Sequence, residues 1–277
     1  MRRLVLALFL AAAPLGASVA QEPLRVGVDG TFAPHAFPRL EGGVQGFNID
    51  LINEIAKRLG RPVAIDAVAF SGLIPALNAG RYDFLGAPVS ITRQRAENLL
   101  FTEGYFVSAY QFAIRRGSAP LTSLDQLRGK AVAVNKGSAY ESWARENAER
   151  YGFTIQTYDS QPDAVQAVLT GRAYANLAGN TVVRYAATQI RQLVPDLVLE
   201  DTRIEWAFPL RLGNTALRNQ VEGVLECMRR DGTIARLAEK WFGDASPADS
   251  LERTPLPGYG PPGRPGHDAT EHPASCS

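Results

Sequence analysis

The sequence predicts an α/β protein built as two successive lobes, on three observations. Short apolar runs bounded by glycine alternate with stretches of helical periodicity from residue 24 onward, and this alternation restarts after the string YQFAIRR at 110–116. The last periodic stretch, 221–241, carries an apolar face that needs a core to pack on. With 45% apolar residues among 277, the chain is long enough for one large or two medium cores.

In chain order, Arg2 and Arg3 precede an apolar run over 4–13. Ser18-Val19-Ala20 then has the small-x-small form cut by signal peptidase, so residues 1–20 read as a cleaved signal peptide. The run is too short for the ~20 apolar residues of a membrane helix, and no other stretch approaches that length. No cysteine stands near the cleavage site, which points to a soluble exported protein without a lipid anchor.

LRVGVDG at 24–30 reads as a buried strand ending in a glycine turn, and PVAIDAVAF at 62–70 as a second strand. Between them Asn48 is a candidate helix cap, followed by Ile49, Ile52, Ile55 and Leu59 at helical spacing and by Gly60 as the stop. Strand, helix and strand in this order imply a right-handed crossover and a parallel sheet. A short helix over 73–79 and a strand in YDFLGAPV follow. In the second series AVAVN (131–135), TIQTYD (154–159) and AYANLAG (173–179) read as strands, with helices after Gly137-Ser138 and over 162–169.

Without Arg2 and Arg3, 27 basic residues face 28 acidic ones, a formal charge of −1 that gives no support to nucleic-acid binding. No metal-ligand cluster, serine-nucleophile elbow or phosphate-binding glycine loop occurs, so no cofactor, metal or catalytic residue is expected. Residues 244–277 hold seven prolines and few large apolar side chains, which predicts a disordered tail. His267 and His272, with Asp268 and Glu271, lack a scaffold there and read as solvated. Cys227 reads as an ordinary thiol in a helical pattern and Cys276 as a tail residue, although the exported compartment permits a bridge. His35 reads as a loop residue.

Three strings, GFNIDLINEIAKRLG (46–60), SGLIPALNAGRYDFLGAPVSITRQR (71–95) and LLFTEGYF (99–106), are followed by KGSAYESW (136–143) and DGTIARLAEKWFG (231–243). In this succession the chain, from about residue 24 to 243, resembles the periplasmic solute-binding proteins of the polar amino-acid uptake class, family 3. The resemblance implies a type II, Venus-flytrap fold with two crossover hinge strands near Ala113 and Ile204. It places 21–113 and 205–243 in lobe 1 and 114–204 in lobe 2. It further implies a monomer in the periplasm that delivers a small carboxylate-bearing solute to an inner-membrane ABC permease.

The same resemblance makes Arg95 the carboxylate grip, because a guanidinium presents a planar fork of donors to two carboxylate oxygens. Ser90 matches the neighbouring hydroxyl position. Ser138 and Ala139, at the start of a helix, offer free amide groups to an anion from the other lobe, with Lys136 alongside. Phe32 and Phe70 correspond to pocket walls, and Asp29 to a position lining the cleft. Two departures stand out. Ala87-Pro88 replaces a more polar pair, and Gly179 or Asn180 stands where an aspartate pairs with the ligand ammonium. An α-amino acid is therefore one option and a carboxylate without the amine, or with its amine on Asp29, another. A cyclohexadienyl dehydratase-like enzyme and a binding module serving a sensor or redox partner are the alternatives, the former disfavoured by the missing acid.

Overall fold

The structure, a computed structural model, describes residues 21–272 and Cys276, and the expected signal peptide lies outside them. The chain enters as β1 (Leu24–Val28), the short hairpin β2 (Phe37–Pro38) and β3 (Val44–Gln45), α1 (Phe47–Arg58), β4 (Val63–Ala67) and α2 (Phe70–Asn78). Then come β5 (Phe84–Leu85), β6 (Val89–Ser90), α3 (Arg93–Ala96), β7 (Leu99–Phe101) and the long β8 (Phe106–Arg115). The second series is β9 (Ala131–Asn135), α4 (Ala139–Tyr151), β10 (Thr154–Tyr158), α5 (Gln161–Leu169), β11 (Ala175–Gly179) and α6 (Asn180–Gln189). The chain returns through β12 (Leu193–Ala207) and β13 (Pro209–Arg211) to α7 (Thr215–Arg230) and α8 (Thr233–Phe242).

Strands β4, β1 and β5 form a parallel sheet in that order. The larger sheet runs β10-β9-β11-β8-β12-β6, parallel among β10, β9 and β11 and antiparallel across β8 and β12. Two cores result. Leu24, Val26, Phe47, Ile52, Ile55, Trp206, Phe208, Leu225, Met228 and Ile234 build the first, so α7 and α8 do return to the N-terminal lobe. Phe112, Val132, Val134, Ala164, Val168, Leu177 and Val182 build the second. Phe106 belongs to the first core and Tyr110 to the second, so β8 passes between them at 107–109. β12 passes back through a register break between Leu199 and Ile204.

Local chemistry explains where the elements depart from the sequence reading. Gly46, not Asn48, caps α1; its φ of 140° and the His35 carbonyl against any Cβ require glycine there. Asn48 is drawn inward instead, donating from Nδ2 to Gly86 O and to Tyr105 Oη, both at 2.7 Å. The predicted strand over 62–70 stops at Ala67, and Phe70 opens α2. Ser138 caps α4, its Oγ accepting from Glu141 N at 3.1 Å.

The expected disorder of the tail is corrected by the structure. The tail offers little apolar surface to bury, but it is held by polar partners on α7. Arg218 donates to Gly266 O at 3.0 Å and Arg229 Nε to Leu251 O at 2.6 Å, while Glu222 accepts from Gly260 N at 2.6 Å. Arg229 also pairs with Glu103, which accepts from Leu256 N at 2.8 Å. Cys227 and Cys276 are bridged, their Cα atoms 5.4 Å apart. His272, read as solvated, bonds Glu226 at 2.6 Å and stacks on Tyr259.

Candidate functional site

A crevice between the two cores is lined by Phe32, Phe70, Pro88, Ser90, Arg95, Asn135, Ser138, Ala139 and Tyr140. It encloses about 20 Å³, little more than the roughly 10–15 Å³ that a single water needs, so it is too tight for an amino-acid-sized solute as it stands. Arg95 reaches it from α3, whose N-cap Thr92 accepts from the Arg95 amide at 3.3 Å. The guanidinium bridges the lobes, donating from Nη1 to Ser90 O at 3.2 Å and from Nη2 to Gly137 O at 3.1 Å. Phe70 packs against it, with the guanidinium carbon 5.7 Å from the ring centroid. Burial draws its pKa down from the usual guanidinium value, and Tyr110 and Tyr140 are the groups that oppose the shift. Among the described residues no carboxylate pairs with this cation.

Asp29 is 1% exposed and sits at the end of β1. Its Oδ1 accepts from Thr31 N at 3.0 Å and Thr31 Oγ1 at 2.7 Å, and its Oδ2 accepts from Asn135 Nδ2 at 3.2 Å across the crevice. Burial raises its pKa, and these bonds pull it back down. Asn135 Oδ1 is buried and has no hydrogen-bond partner among the described residues. An acceptor of this kind costs free energy until a donor arrives.

Of the residues singled out in the sequence, Arg95, Ser90, Ser138, Ala139, Phe32 and Phe70 come together as the crevice lining, and Asp29 joins them through Asn135. Ala87 does not; it is fully buried in a small cluster with Leu73, Leu77 and Phe101. Asn180 is also absent from the lining, its Oδ1 occupied by Ser108 Oγ and Thr181 N. The glycine at 179 is fixed by crowding, since a Cβ there meets Tyr140 Oη at 2.8 Å, Ser108 Oγ at 2.9 Å and Trp206 at 3.0 Å. Ser138 Oγ is committed to its cap and to Asn135 O, leaving the backbone amides at the start of α4 as the donors of that corner. Asn135 and Tyr140 were not singled out, although AVAVN ends on the former and KGSAYESW contains the latter.

Among the described residues no group of three or more His, Cys, Asp or Glu side chains is placed to hold a metal ion, and no helix is long and apolar enough to cross a membrane.

The profile of bacterial extracellular solute-binding proteins, family 3, matches residues 24–244, which leaves the strapped tail outside it. The L-cystine-binding protein TcyJ of Escherichia coli K12 is 32% identical over 225 residues, covering 79% of this chain and 82% of TcyJ. A solved structure of an ancestral arginine-binding protein bound to arginine superposes with a TM-score of 0.77 at 32% identity, covering 81% of this chain and all of that one. An ancestral amino acid-binding protein described as a precursor of cyclohexadienyl dehydratase superposes at 0.74 with 31% identity, covering 79% of this chain and 95% of that one.

Proposed function

We propose that this chain, which belongs to the bacterial extracellular solute-binding proteins of family 3, binds a small carboxylate-bearing solute, a polar amino acid or a relative of one, between its lobes and carries it to an ABC permease. The observation that supports this most is Arg95, a half-buried cation with no carboxylate partner among the described residues, set at the mouth between two lobes. A solute carboxylate would take the guanidinium fork and the free amides of Ala139 and Tyr140 at the start of α4. Its ammonium would meet Asp29 and the unpartnered Asn135 Oδ1, which together replace the acid that position 179 has no room for. Phe32, Phe70 and Tyr140 would wall the aliphatic part.

The family places the protein outside the cytoplasmic membrane, and the N-terminal reading makes the compartment the periplasm, reached by cleavage after Ala20. Closure about β8 and β12 is the signal in this reading: contacts on both lobes favour the closed form, and the permease recognises it. In this reading the protein acts as a monomer and holds its solute without covalent chemistry, in keeping with relatives that are binding proteins. A thermal-shift screen of L-amino acids against their α-keto analogues tests the proposal. Stabilisation by the amino acids, reaching ~2.7 kcal/mol at 100 times the dissociation constant, supports it. Turnover of prephenate or arogenate, or no shift with any acid, would count against it.

A further inference from the structure

His35 lies in the turn before β2, as expected of a loop residue, yet it is 0% exposed. Four aromatic rings surround its imidazole, with centroids at 5.8 Å for Phe32, 5.9 Å for Phe47, 4.9 Å for Trp206 and 5.4 Å for Phe242. Its two nitrogens have one polar partner each. Nδ1 lies 3.0 Å from Asn48 Oδ1 on α1, and Nε2 lies 2.9 Å from Thr181 Oγ1, 146 residues away on the first turn of α6 in the other lobe.

The network assigns the tautomer. Both amide hydrogens of Asn48 are spent on Gly86 O and Tyr105 Oη, so Asn48 Oδ1 can only accept, and Nδ1 carries the ring proton. Nε2 then offers its lone pair to the Thr181 hydroxyl. The ionisable groups on the surrounding elements are turned elsewhere. Asp29 faces Thr31 and Asn135, Asp50 of α1 accepts from Lys240 and from Trp241 Nε1, Glu205 beside Trp206 feels Arg264, and Tyr105 is held by Asn48. The ring's hydrogen-bond partners are Asn48 and Thr181, neither of them ionisable, and Arg184 and Tyr185 of α6 are not among them.

We infer that His35 is a positioning residue for lobe closure, its neutral ring latching Thr181 in the closed form, so that a proton taken up at Nε2 when the lobes part opposes closure and weakens solute binding. This rests on the proposal that the crevice closes on a solute. In the closed form burial pushes His35 down to about 3. When the lobes separate, Nε2 loses Thr181 and gains water, and the group returns toward the usual histidine value near ~6.5. The unprotonated ring is therefore the form that closes. Affinity is constant above that pH and falls below it, by at most about ten-fold at pH 5.5 relative to pH 7.5.

Calorimetric titration with L-arginine at pH 7.5 and 5.5, on the full chain and on His35→Gln, reads the profile, and ¹⁵N-histidine NMR reads the ring. The expected result is several-fold to about ten-fold weaker binding at pH 5.5 in the parent, a flat profile in His35→Gln, and a His35 ring that titrates near pH 6 without solute but stays neutral with it. An equal loss of affinity in His35→Gln, or a ring neutral at pH 5.5 with and without solute, would overturn the inference. If His35→Gln does not fold, Thr181→Val with the parent's ring titration decides instead, since removing the latch should weaken binding at pH 7.5. Failure of L-arginine to bind at either pH would count against the solute reading alone; the ring titration of the solute-free protein still judges His35.

Discussion

Replacing Cys276 with serine removes the covalent end of the tail and leaves its polar contacts in place. The bridge spans 49 residues of sequence. Freeing a loop of that length in the unfolded chain corresponds to about 4 kcal/mol of chain entropy at 25 °C. At the 2–4 °C per kcal/mol typical of a domain this size, the midpoint should fall by roughly 10 °C. Scanning calorimetry without reductant measures the difference, and dithiothreitol should lower the parent to the level of Cys276→Ser while leaving the variant unchanged. A variant melting within about 2 °C of the parent would refute the claim that the tail is closed onto α7.

Three further outcomes follow from the site and its supports. Asp29→Asn should weaken binding of an amino acid at least ten-fold and leave its deaminated acid within about two-fold, as titration of the two would show, because only the former presents an ammonium to that carboxylate. Gly179→Asp should lower stability by about 1–3 kcal/mol in urea denaturation and shrink the solute-induced thermal shift, because Tyr140, Ser108 and Trp206 fill the space its side chain needs. Asn48→Ala should cost about 2–4 kcal/mol in the same assay, since it strips partners from Gly86 O, the buried Tyr105 hydroxyl and His35 at once.

Elements whose signals are local were legible from sequence. The strand AVAVN is β9 residue for residue, the helix after Gly137-Ser138 is α4, and the apolar spacing of 221–241 called for a core, which the first lobe supplies. Local rules failed where a distant partner outbid them. Asn48 has a capping side chain, yet Gly86 and Tyr105 recruit it from 38 and 57 residues away. A composition count found too little apolar surface in the tail and could not see that α7 presents Arg218, Glu222 and Arg229 to it. Within the site, Arg95 and Ser138 stood out through the strings that contain them. The pairing of Asn135 with Asp29 and of His35 with Thr181 joins residues 106 and 146 positions apart, and no periodicity encodes such meetings.

Titrating the amino acid that most stabilises the parent protein into Arg95→Ala is the most direct test of the carboxylate grip. Two charge-assisted bonds lost from a half-buried site should weaken binding by at least about thirty-fold, some 2 kcal/mol. Unchanged affinity in Arg95→Ala would mean that the solute carboxylate is held elsewhere.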